Sequence, residues 1–131
     1  MNKLILTIGC FFGLTAVVLG AFGAHILKEV LSESALQSFQ TGVEYQMYHA
    51  LLLLLIGSFE RIGAKTKKIV CYLLTTGTFL FSGSIYLLAT NSLTSIDFTV
   101  IALLTPLGGT LLILAWLILL IGFAKLKFDK N

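Results

Sequence analysis

Two histidines and a glutamate sit among neighbours too apolar for them: His25, Glu44 and His49. Ionisable groups inside apolar segments are costly, and they face a bundle interior or a water-filled cavity. Glu44 and Tyr48 lie four residues apart, as do Tyr45 and His49, so on a helix each pair shares a face and can touch. Several chemistries fit these types. A His–Glu centre oriented by hydrogen bonds would be structural. The same groups would serve a proton relay or a small-solute path. A metal would find two His and one Glu, a minimal ligand set, and a haem would need His25 and His49 as its two axial ligands. Ser82, Ser84, Tyr86 and Thr105 add hydroxyls, which in apolar helices commonly hydrogen-bond between neighbours. The tyrosines also suit an interfacial aromatic belt, whereas Trp116 lies too deep for one and is expected to pack inside. No nucleophile, base and orienter stand at a recognisable spacing. The expectation is a protein that is not an enzyme and needs no cofactor.

These residues must be positioned by four apolar stretches, at about 4–24, 42–60, 69–90 and 98–124. Hydrophobic residues make up 57% of the 131 and charged ones 11%, against about a quarter charged in soluble domains. The composition predicts one all-α integral membrane domain, a four-helix bundle over 1–131. A span needs about 20 apolar residues. The second stretch has only 15 residues between Glu44 and Glu60, about 22 Å of helix. Its helix must therefore start earlier, near Ser34, where Ser34-Ala35-Leu36-Gln37 fits a capping box. His25–Leu31 should prolong the first helix. The fourth stretch is long, and a tilt or a bend at Pro106 would absorb the excess, with the carbonyl of Ala102 satisfied by Thr105 or a neighbouring Ser.

The segments between spans differ sharply in charge. Lys3, Arg61, Lys65, Lys67, Lys68, Lys125, Lys127 and Lys130 fall on one side, and only Lys28 on the other. Short basic loops stay in the cytoplasm, so both termini and the loop 60–68 are expected there. That topology brings His25, Glu44, Tyr45, Tyr48, His49, Ser82, Ser84, Tyr86 and Thr105 to the outer half of the bilayer. The inner halves are then nearly pure Leu, Ile and Phe, which argues against an open pore. The net charge of +3 reports topology. No basic face outside these loops would suit nucleic acid, and the expected partner is the lipid bilayer.

Small residues mark the packing faces. Gly9, Gly13, Ala16, Gly20 and Gly23 step by four and three along one face of the first span. Gly108, Ala115 and Gly122 repeat every seven residues in the fourth. Such faces let helix backbones approach closely, within one subunit or between subunits. Cys10 and Cys71 lack metal-type spacing and lie toward the reducing side. The first apolar run, 21 residues from Leu4 to Ala24, exceeds the roughly 7–15 of a signal peptide, so it is read as a retained span.

Four motifs carry a resemblance. They are Gly20-Ala21-Phe22-Gly23-Ala24-His25, the run Thr41-Gly42-Val43-Glu44-Tyr45-Gln46-Met47-Tyr48-His49-Ala50, then Phe81-Ser82-Gly83-Ser84-Ile85-Tyr86-Leu87, and Thr105-Pro106-Leu107-Gly108-Gly109. In this order the chain resembles the domain-of-unknown-function 423 family, which includes the eukaryotic transmembrane protein 256 group. The family pattern has Gly before the last-span Trp, where this chain has Ala115 before Trp116. The resemblance implies a small integral membrane protein and no particular reaction. The expected function is contact through helix packing, with a second copy or a membrane partner in the bacterial plasma membrane. Proton or small-solute transport, and a haem or metal redox module, are the alternatives.

Overall fold

The computed structural model describes residues 1–127, and these form four long helices with no strand among them. Helix α1 spans Asn2–Val30, α2 Glu33–Ser58, α3 Ala64–Ala89 and α4 Leu104–Ala124. Helices α1, α3 and α4 are each long and apolar enough to cross a membrane. Helix α2 is 26 residues long, but the polar run Glu44–His49 lowers its apolarity.

Each boundary has a local cause. α1 continues past Phe22 through one π-helical turn, Gly23–Leu27, in which the Lys28 N–H bonds the carbonyl of Gly23. Such a turn holds one residue more than an α-helical one. Ser32, not Ser34, caps α2: its hydroxyl accepts the N–H of Ala35 at 3.2 Å. The Ser34 hydroxyl position is inside the helix by then, so the proposed capping box does not form. Pro106, the expected site of a bend, does not lie in a helix interior. Residues 98–103 form a 3-10 turn, Thr99–Ile101, and α4 starts at Leu104. Pro106 thus lies in the first helical turn, where its missing N–H has no partner to lose. Asp97 fixes that turn by accepting from the Thr99 N–H at 3.0 Å and the Thr99 hydroxyl at 2.8 Å. These bonds hold its carboxyl below the usual carboxylate range.

Lys3, Arg61, Lys65, Lys67, Lys68, Lys125 and Lys127 all gather at the end of the bundle that bears the termini. Lys130 lies outside the described residues, and Lys28 is at the far end. An apolar core of Ile5, Leu53, Ile56, Val70, Leu74, Leu112, Ala115 and Leu119 fills the termini end. A smaller cluster, Leu27, Phe39 and Ala89, fills the far end. The polar residues form a layer between the two.

The small residues place the helices. Gly9 and Ala16 are buried, and the ladder faces α2 of the same subunit. A methyl group at Gly9 would stand 3.1 Å from the Ala50 carbonyl oxygen, one at Gly20 3.3 Å from Val43, and one at Gly23 3.2 Å from Phe39. Gly13 is looser, 3.9 Å from Ala50 by the same measure. The closest approach is between α3 and α4. A methyl at Gly108 would collide with the Phe81 backbone nitrogen and stand 2.8 Å from the Gly77 carbonyl oxygen. Ala115 is fully buried on the same face. Gly122, the third member of that repeat, has nothing within 4 Å of the added carbon, so it takes no part in this interface. Replacing Gly108 by Val should therefore cost about 1–3 kcal/mol through overpacking. Gly122→Val should stay within about 0.5 kcal/mol. Equilibrium unfolding in mixed detergent micelles would check the contrast, and equal losses would contradict this interface.

Candidate functional site

Helix α2 supplies the centre of the polar layer. Its Gln46 side chain is buried and joins three helices. Gln46 Nε2 donates to the Phe12 carbonyl at 2.9 Å and to Thr15 Oγ1 at 2.7 Å, both on α1. Gln46 Oε1 accepts from the Tyr86 hydroxyl of α3 at 2.7 Å. Ser82, one turn along α3, donates to the Gly42 carbonyl at 2.7 Å. Gly42 is required beside it: an added methyl would stand 2.8 Å from the Tyr86 ring.

A second contact ties α3 to α4, where the Ser84 and Thr105 hydroxyls meet at 2.6 Å. A third ties α2 to α4. The Trp116 indole N–H donates to His49 Nε2 at 3.2 Å, and His49 Nδ1 lies 2.6 Å from the Tyr45 carbonyl oxygen. A carbonyl only accepts and an indole N–H only donates. His49 must therefore carry its proton on Nδ1 and accept on Nε2, which assigns the neutral tautomer from its partners. Both ring nitrogens are occupied.

The expected single cluster thus divides into three separate contacts, and three of its members, His25, Glu44 and Tyr48, join none of them. His25 and Glu44 are exposed. Glu44 lines a groove with Gly20, Gly23 and Gln40 on the α1 side. Tyr48 turns its ring to Tyr45, centroids 5.6 Å apart, rather than its hydroxyl to Glu44. Gly23 rests on Phe39, ten residues before His49, or about 15 Å along α2. His25 and His49 are therefore too far apart to grip one haem or one metal ion. Among the described residues, no three metal-ligating side chains gather.

Two residues outweigh their rank in the sequence. Gln46 is uncharged and so drew less weight than its ionisable neighbours, although it is the hub. Trp116 is half-exposed, 50%, rather than packed inside, and its N–H holds His49. The termini-side halves are also less apolar than the sequence implies. Lys67, Cys71, Thr75, Thr78, Ser82 and Tyr86 step by four or three along one face of α3. Lys67, Cys71, Thr78 and Ser82 are buried, and Lys67 Nζ donates to Asn2 Oδ1 at 3.2 Å. Thr78 Oγ1 is buried with no hydrogen-bond partner. The helical period of this stripe was the available signal.

Four helices, at least three of them long and apolar enough to cross a bilayer, closed around a hydrogen-bonded polar layer define a multi-pass helical membrane protein. The chain belongs to the family described as protein of unknown function (DUF423), whose profile matches residues 19–109. A UPF0382 membrane protein of Staphylococcus saprophyticus is 41% identical over 124 residues, 95% of this chain and 99% of that protein. The UPF0382 membrane protein YwdK of Bacillus subtilis is 35% identical over 127 residues, 94% of this chain and 98% of that one. The UPF0382 inner membrane protein YgdD of Escherichia coli is 35% identical over 127 residues, 96% and 93% of the two chains. No solved structure matches. The protein is an integral, multi-pass protein of the bacterial cell membrane, in contact with lipid.

Removing the hub should be felt by all three helices it joins. Interhelical hydrogen bonds in membrane proteins average about 0.6 kcal/mol and reach about 1.7. Gln46→Leu, which deletes three, should cost about 2 kcal/mol, and Tyr86→Phe about 0.6. The same micellar unfolding measurement reads both, and equal losses for the two variants would contradict the hub.

Proposed function

We propose that the protein is non-enzymatic, has both termini in the cytoplasm, and acts by contact with a second copy or another membrane protein. The observation that carries the reading is the saturation of His49. The one histidine inside the bundle has both nitrogens engaged, so it is not free to take a proton from a substrate. The ladder of α1 and the Gly108 contact are used within the subunit. What faces outward is apolar: Phe11, Leu14, Val17 and Val18 on α1 and Ile113, Leu117 and Leu120 on α4 are all largely exposed. Those faces are left for lipid and for a partner. The basic residues at the termini end support the cytoplasmic placement.

A native mass spectrum of the protein released gently from detergent should show more than one chain, or a second membrane protein bound. A single chain carrying only lipid would overturn the contact reading. A reporter active only in the cytoplasm, fused after Asn131, should be active. Activity of a periplasmic reporter at that position would overturn the topology.

Passage of a proton or small solute is a second reading, favoured by the α3 stripe. It carries polar groups into the termini-side half, and at its middle Thr78 offers a buried hydroxyl without a partner. Proteoliposomes holding a pH dye would test it. If the stripe conducts, Thr78→Val should slow the decay of an imposed pH gradient severalfold. Decay equal to that of protein-free liposomes would remove this reading.

A further inference from the structure

Among the described residues, Lys67 is the one charged side chain that is buried, at 4% exposed. An ammonium withdrawn from water is unfavourable unless a counter-charge meets it. Its partner here is neutral: Nζ donates to Asn2 Oδ1 at 3.2 Å, and no described carboxylate pairs with it. An ammonium has three donors, so two remain unused.

Space for a counter-ion adjoins it. A recess of about 380 Å³ opens at the termini end, lined by Asn2, Glu60, Ile62, Gly63, Ala64 and Lys67 among others. That volume lies within the roughly 300–1,000 Å³ of small-ligand sites. Helix α3 begins at this recess, with Gly63 at its N-cap and no side chain capping it. The first N–H groups of a helix have no partner inside it, and the positive end of its dipole favours an anion. The buried ammonium and the helix start therefore offer donors to one space, and what answers them is an anion with several oxygens.

The place of the recess says where that anion comes from. Lys67 stands three residues into α3, about 4.5 Å along its axis. Helix α3 is long and apolar enough to cross a membrane, so its start lies at the headgroup level, where lipid phosphates are. Lys3, Lys65 and Lys68 are exposed at this end and draw anionic lipid towards it. Glu60 is exposed and lines the same recess. Its carboxylate repels a doubly charged phosphate and accepts from a hydroxyl. A singly charged phosphodiester with a hydroxyl beyond it satisfies both ends.

We infer that this recess binds the headgroup of an anionic glycerophospholipid, its phosphodiester on the Lys67 ammonium and the first N–H groups of α3, and a headgroup hydroxyl on Glu60. The inference goes beyond the contact reading above and holds whichever way the bundle lies in the bilayer.

The full chain in detergent would be titrated with phosphatidylglycerol and its bound lipid counted by native mass spectrometry. A first lipid should bind saturably. Lys67→Met removes the buried charge and should raise half-saturation about tenfold, as expected for one charge-assisted hydrogen bond. Lys68→Met removes the same charge from an exposed neighbour and should change it less than about threefold. Gly63 has a φ of −60° and a ψ of 146°, open to any residue, and nothing lies within 4 Å of an added carbon. Gly63→Leu therefore places a side chain at the recess wall without strain, and it should weaken binding even if Lys67→Met does not fold. Equal losses for Lys67→Met and Lys68→Met would mean attraction to the whole basic end and would overturn the inference. So would a half-saturation unmoved by both Lys67→Met and Gly63→Leu. Soluble glycerol phosphate in excess should leave the lipid in place, and displacement would make this a soluble-anion site instead. Subunit number is read separately in the same spectra, so failure here leaves the contact reading standing.

Discussion

The least apolar helix is the one around which the others are arranged. In hydrocarbon a polar side chain has no water to turn to, so α2, with Gln46 and His49, is confined to positions where neighbours answer each polar atom. Gln46 calls for a carbonyl and a hydroxyl from α1 and a phenol from α3, and His49 calls for an indole from α4. Apolar helices alone would find little reason in lipid to choose one neighbour over another, because lipid tails are as apolar as leucine. The polar atoms of α2 specify the neighbours, and the glycines specify how near they come.

Those two devices act at different heights. Gly9, Gly57 and Gly77 bring backbones together on the termini side of the polar layer, where the larger core lies. Gly42 and Gly108 sit within it. Where the helices touch so closely, side chains such as Leu6, Leu54 and Leu112 lie directly over the neighbouring backbone. The far-end cluster is smaller, held by Leu27, Phe39 and Ala89, with Tyr86 against the Phe39 ring at 4.9 Å. α4 buries only one face, Gly108, Leu112, Ala115 and Leu119, beside which Thr105 and Trp116 reach Ser84 and His49.

Much of this arrangement is legible in the residues, and the remainder is hidden for definite reasons. Apolar length and the lopsided basic residues mark four helices, because hydrocarbon thickness and charge translocation act on composition directly. The start of α2 near residue 33 follows from the shortness of the apolar run after Glu44. The cap moved from Ser34 to Ser32 because two serines stand two residues apart and only backbone geometry separates them. Pro106 looks like an interior kink until the preceding residues are known to form a 3-10 turn. The one-dimensional polar layer suggested a single cluster around His25, Glu44 and His49. Depth is shared along a membrane, but azimuth is not, and Glu44 and His49 face different neighbours. Gln46 shows the limit best: ionisable groups attract attention by their cost, while an amide with two donors and an acceptor can join more partners.

Lys67 and Asn2 are separated by 65 residues in the chain, yet their side chains meet at the termini end. During synthesis, α1 and then α2 leave the ribosome before Lys67 does. At about 5–20 residues per second, Asn2 waits several seconds for its partner. Over that interval α1 and α2 can associate through the ladder and the Gln46 amide, while the contacts to α3 remain unmade. The arrival of Lys67 marks the time at which the first helix of the bundle can be fastened to the third.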